Sequence, residues 1–234
     1  MSQTSALARL KASLQTSAGD VVFGMEDGTV SIFGLVFGVA ATTNDQSAVL
    51  IAGASGAVAA AVSMMAGTYL DAETNEDQAK VLDARLAADL KSDLGAVVGR
   101  ITQRLGAAGL TREQTAIASD FLSSQPAVLK AFAVALADPA SGSTDSALVR
   151  SLWMLIADFL AAAIPILPFA FLPVAQGRVV SAAVTTLLLV SLGIGRAHIG
   201  DRNTLRTVIE TVSIGIAAAL AGVGIGLGIS HLFS

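Results

Sequence analysis

The stretch VFGMEDGTVSIFGLVFG, residues 22–38, is apolar and punctuated by glycine, yet it carries two adjacent carboxylates, Glu26 and Asp27. Ionised groups are costly to remove from water, so a pair inside such a run needs either an aqueous setting or a function. The apolar run extends from Val21 to Ala41. A helix of about 20 residues crosses the hydrocarbon core of a bilayer, and the run has that length.

The rest of the chain is built in the same way. Of 234 residues, 53% are hydrophobic and only 14% are charged, too apolar a balance for a domain whose whole surface is solvated. Four further stretches can span a membrane: SAVLIAGASGAVAAAVSMMAGTYL from Ser47, SLWMLIADFLAAAIPILPFAFL from Ser151, Val179 to Gly195, and Thr207 to Leu232. The sequence therefore predicts an all-α membrane protein with five transmembrane helices. The chain has no cysteine, which excludes disulfides and thiolate sites, so any metal must be held by oxygen, imidazole or thioether. A net charge of -4 gives no reason to invoke nucleic acid. There is no P-loop, no dinucleotide fingerprint and no defensible Ser/His/Asp arrangement, so neither an enzyme nor a primary pump is expected, and no cofactor.

Residues 1–19 lack the apolar centre of a cleavable signal peptide and are read as a cytoplasmic N-terminal arm. Every Lys and Arg except Arg178 falls in that arm, in the long second connection or in the fourth connection, which holds Arg196, Arg202 and Arg206. Positive residues collect on the cytoplasmic side, which places the N-terminus inside and the C-terminus outside. Residues 20–70 then hold the first two spans and residues 150–234 the last three.

Between spans 2 and 3, residues 71–149 read as a small helical cytoplasmic domain. Val81, Leu82, Leu86 and Leu90 keep helical spacing, and the helix is expected to reach a C-cap at Gly109. The tetrapeptide TREQ, Thr111 to Gln114, offers a capping box for a helix towards Phe121. Another short helix is expected from Pro126 to Ala137. The turn-rich ADPASGSTDSA then leads back to the membrane.

Depth singles out the candidate site. At ~1.5 Å per residue, Asp27 lies roughly 10 Å into span 1, Met64 about as far above the cytoplasmic exit of span 2, and Asp158 about 12 Å along span 3. Two carboxylates and a thioether thus share one layer, a donor set suited to a borderline divalent metal ion rather than to calcium or magnesium. Glu26 is close in depth but about 100° around the helix from Asp27. The candidate metal ligands are Asp27, Met64, Asp158 and Glu26. A carboxylate binds the ion when deprotonated and releases it when protonated, which offers a route to proton-coupled exchange.

Small residues and prolines carry two more expectations. Gly24 and Gly28, and then Gly34 and Gly38, form two GxxxG pairs expected to bring two copies of span 1 together in a two-fold dimer. Pro165, Pro168 and Pro173 are expected to break or bend the outer part of span 3 and to free carbonyls towards a polar cavity.

These residues resemble the vacuolar iron transporter family. GDVVFGMEDGTVSIFGLVFGVA is similar to its first span, AVSMMAGTYL to its second and IPILPF to its third, and the last two spans follow the same layout. The resemblance implies a homodimer of five-span subunits that exports Fe²⁺, sometimes Mn²⁺, from the cytosol in exchange for protons. It also implies that Asp27 and Met64 line the path. The family's usual Glu, eight residues before that Met, is Gly56 here, and Asp158 is expected to replace it in part.

The family's cytoplasmic helices are rich in glutamate, with methionines nearby. Here Glu73, Glu76, Asp77, Asp83, Asp89, Asp93, Glu113 and Asp120 are interleaved with basic residues and read as a solvated surface, although Asp89 and Asp93 stand four apart and could share a helical face. The Ala-rich composition and the lack of a targeting segment point to a bacterial plasma membrane. Divalent metal, protons and membrane lipid are the expected partners. The alternative is a non-transporting scaffold or metal-responsive binding protein that kept the fold.

Overall fold

The computed structural model describes residues 3–137 and 146–233, and among the described residues every regular element is a helix. In chain order these are α1 (Gln3–Thr16), α2 (Ala18–Thr42), α3 (Gln46–Ser92), α4 (Leu94–Ala107), α5 (Arg112–Ser124), α6 (Pro126–Ala137), α7 (Ala147–Phe171), α8 (Val174–Ile199) and α9 (Thr204–Phe233). Five of them, α2, α3, α7, α8 and α9, are long and apolar enough to cross a membrane. Within the N-terminal arm, Gln3–Thr16 form the helix α1. The linker ADPASGSTDSA lies almost wholly outside the described residues.

The chain divides into two compact units, residues 1–70 with 145–234, and residues 71–144. In the first unit α2 is the hub against which α7, α8 and α9 pack. Between helices in lipid there is no hydrophobic drive, so close approach of backbones over small residues supplies the attraction. Gly24 and Gly28 seat α7: a Cβ at Gly24 would strike Met154, and one at Gly28 would strike Asp158. Gly34 and Gly38 seat α9, where an added Cβ would lie 2.8 Å from the Ala218 carbonyl oxygen and 2.6 Å from that of Gly222.

Both GxxxG pairs are therefore occupied within one chain. The expectation that they join two copies of span 1 is corrected: their small faces are already covered by α7 and α9. The order of these contacts makes α7 and α9 parallel to α2.

Helix α3 meets this bundle through one narrow face. Val49 and Ala57 share a core with Ile32, Val36, Ala40, Ala162, Phe169 and Val174. Gly53 lies against Val36 and Ile166, and Gly56 against Ile32 and Leu35. Ile51, Val58 and Val62, on other faces of the helix, are exposed.

The prolines act differently from expectation. Helix α7 runs unbroken through Pro165 and Pro168, while Pro173 caps the start of α8. Pro173 has no N–H to offer the Phe169 carbonyl, and Gln46 Nε2 donates to that oxygen instead at 2.6 Å. Ser181 Oγ donates to the Pro165 carbonyl at 2.7 Å. Gln46 thus takes up the carbonyl that Pro173 leaves without an N–H partner.

The second unit buries Leu86, Val97, Val98, Ile101, Leu122 and Leu129. The helix expected to run to Gly109 is interrupted: α3 ends at Ser92, and Asp93 caps α4 by accepting from the Ala96 N–H at 2.8 Å. An aspartate side chain competes well for free N–H groups at a helix start, which favours the break. Gly109 sits at φ +108°, the left-handed conformation that closes the end of α4, and Leu110 N–H returns to the Leu105 carbonyl. The TREQ capping box forms, with Thr111 and Gln114 bonding reciprocally.

Candidate functional site

Asp27 is half-buried on α2; its backbone carbonyl accepts from Ser31 Oγ at 2.7 Å, whereas its carboxylate makes neither a hydrogen bond nor an ion pair among the described residues. It lines a cleft of about 480 Å³ together with Glu26, Val30, Arg196, Arg202 and Ile214. The next residue, Gly28, abuts Asp158 on α7. Asp158 is 0% exposed, and both of its carboxylate oxygens are buried without a hydrogen-bond partner among the described residues. A carboxylate deprived of water, donors and counter-ion is stable only when neutralised by a proton or by a cation.

Glu26 stands in a different position. Arg196 Nη1 on α8 donates to Glu26 Oε1 at 3.1 Å and to Oε2 at 3.4 Å, and Thr211 Oγ1 on α9 donates to Oε1 at 3.1 Å. The Glu26 side chain is 12% exposed and that of Arg196 38%, and with Thr211 the pair ties three helices together at the edge of the cleft. Of the candidate metal ligands, Glu26 has its carboxylate engaged by a guanidinium and a hydroxyl. Sequence reasoning used Arg196 only as a mark of orientation. Its place in the last turn of span 4, at the depth of an acid in span 1, was the available signal.

Met64 is half-buried on α3 and does not line the cleft. Its level follows from the antiparallel register of α2 and α3. Gly56 faces Leu35; eight residues on from Gly56 is Met64, and eight residues back from Leu35 is Asp27. The two therefore lie at a similar level along the paired helices. A second thioether went unnoticed in the sequence: Met154 is buried against Gly24, one helical turn from Asp158 on the same face of α7. Its i, i+4 spacing to Asp158 was legible.

Among the described residues no group of three or more His, Asp or Glu side chains is close enough to hold a metal. The described residues thus bring Asp27 and Asp158 to one helix crossing without a third acid beside them. In the second unit the acids are used in other ways. Asp77 pairs with Lys80 at 2.9 Å, Asp83 with Lys130 at 3.0 Å and Asp89 with Arg100 at 2.7 Å. Asp93 caps α4, so Asp89 and Asp93 do not act as a joint ligand face.

Vacuolar iron transporter 1 of Arabidopsis thaliana is 27% identical over 217 residues, covering 91% of this chain and 86% of that protein. Vacuolar iron transporter 1 of Eucalyptus grandis is 25% identical over 214 residues, covering 86% and 82%. The vacuolar iron transporter of Centaurea cyanus is 25% identical over 207 residues, covering 86% and 83%. The VIT family profile matches residues 18–227, from the start of α2 to within the last turns of α9, and the chain belongs to that family.

Proposed function

We propose that this protein carries Fe²⁺ across a membrane, with Mn²⁺ as a second cargo, and exports it from the cytosol in exchange for protons. Family membership and the iron transporter names of its relatives support transport rather than catalysis. The observation that carries the reading is Asp158, an acid sealed in a helix crossing without a partner, one residue's width from the unpaired Asp27. Membrane-buried acids of this kind mark ion and proton paths.

In this reading Fe²⁺ enters the cleft from the cytoplasmic side and binds Asp27, and Met64 approaches from α3 at the same depth. Asp158 takes up positive charge, as metal or proton, and so alternates with the cargo. Glu26 does not ligate the metal. A homodimer would set two such incomplete sites near one another. The plasma-membrane expectation rests on composition alone, and the relatives above are plant proteins with vacuolar names. In either membrane the direction proposed is away from the cytosol.

The second reading, a scaffold or metal-responsive binding protein, draws support from Gly56 and from the lack of a three-acid cluster among the described residues. Purified protein in liposomes under a proton gradient separates the two, comparing wild type with Asp27→Ala. Metal-dependent proton flux that disappears in the variant supports transport. Metal binding without flux in the wild type supports the scaffold.

A further inference from the structure

We infer that Arg196 is a tethered cation that keeps Glu26 out of the metal site, so that the cleft presents one free carboxylate to the cargo instead of two. The inference rests on the transport reading above. Glu26 and Asp27 are adjacent and line the same cleft. Left alone, they would form a two-carboxylate site for a divalent ion. Arg196 prevents this by bonding both Glu26 oxygens, while Thr211 holds Oε1 from the opposite helix.

The other charges near the cleft are engaged elsewhere. Arg202 lies 3.8 Å from Glu210, and Arg206 donates to Glu210 at 3.0 Å. Arg150 pairs with Asp20, nearer the start of α2, at 2.9 Å, so among the described residues Arg196 is the cation bonded to the Glu26–Asp27 pair.

The physical reason for such a device is release. A transport site must bind well enough to load and weakly enough to empty, and affinity for divalent ions rises with the number of charged ligands. A guanidinium is permanently charged. It lowers the charge count of the site without depending on pH. It also keeps a second carboxylate in place between helices, where truncation would leave a void. Arg196 is on this account a positioning residue that sets affinity through Glu26, without touching the metal.

The account makes predictions of opposite sign for the two partners. Arg196→Gln frees Glu26 to join Asp27; Mn²⁺ should bind about tenfold more tightly, and the maximal rate of Fe²⁺ uptake should fall. Glu26→Gln frees the guanidinium to turn to Asp27, and Mn²⁺ binding should weaken. The double variant Arg196→Gln/Glu26→Gln should return towards wild-type affinity, and Arg196→Lys should stay near wild type.

Mn²⁺ binding is read by electron paramagnetic resonance on full-length protein in lipid nanodiscs, and Fe²⁺ uptake in liposomes. Unchanged or weaker Mn²⁺ binding by folded Arg196→Gln would overturn the inference. If that variant does not fold, Glu26→Gln and the double variant decide: a double variant that binds as weakly as Glu26→Gln makes Glu26 a direct ligand and overturns it equally. Asp27→Asn is the control for the underlying reading. Binding and uptake that survive Asp27→Asn refute the site, whereas their loss together with an unaltered Arg196→Gln refutes only the tether.

Discussion

Gly28 and Asp158 occupy one point of the α2–α7 crossing: a Cβ added to the glycine would fall on the aspartate's carboxylate and on its backbone carbonyl. The absent side chain is what lets an acid sit sealed between two helices at the depth of Asp27. Packing and site chemistry therefore depend on the same residue.

Gly28→Ala should separate α2 from α7. Overpacking a well-filled contact costs about 1–3 kcal/mol, so thermal unfolding in detergent should occur at lower temperature, and metal uptake should be lost. Gly224→Ala is the comparison, since nothing lies within 4 Å of a Cβ there. Its unfolding temperature should hold or rise, because alanine is the better helix former.

Asp158→Asn keeps the shape and removes the charge. Because the carboxylate has no partner to lose, the fold should survive with an unchanged or higher unfolding temperature. Metal uptake should drop by about tenfold or more. Wild-type uptake by this variant would remove Asp158 from the path.

Gly34→Leu and Gly38→Leu test where the second GxxxG pair acts. Both glycines meet α9 of their own chain, so the variants should lose folded protein altogether. Size-exclusion chromatography with light scattering reads the outcome. A folded monomer in place of a dimer would mean that these glycines serve a contact between copies after all.

Thr111→Ala removes half of the capping box of α5. Loss of such a cap costs about 1 kcal/mol. Amide hydrogen exchange on the intact protein should show faster exchange in the first turn of α5, with the membrane helices unaffected. Uniform protection would show that tertiary packing alone holds that turn.

The helices were legible because their signals are local. Span lengths follow from bilayer thickness, and the TREQ box, Gly109 and Pro126 act within a few residues of themselves. The break at Asp93 was missed because helical apolar spacing continues past it, and only the cap bond to Ala96 reveals the change of direction. The equal depth of Asp27, Met64 and Asp158 also came from simple rise per residue, since parallel and antiparallel spans share one frame of depth.

The sequence by itself determined that five apolar helices exist, that acids lie at their depth, and that no thiolate takes part. Tertiary structure alone decided which acid is free. Glu26 and Asp27 are neighbours of the same charge, and one side chain finds Arg196 and Thr211 while the other faces the cleft without a partner. That difference arises from rotation about the helix axis against α8 and α9, elements far away in the chain. Charge pairing and desolvation depend on distance in space, so residue order alone does not contain them.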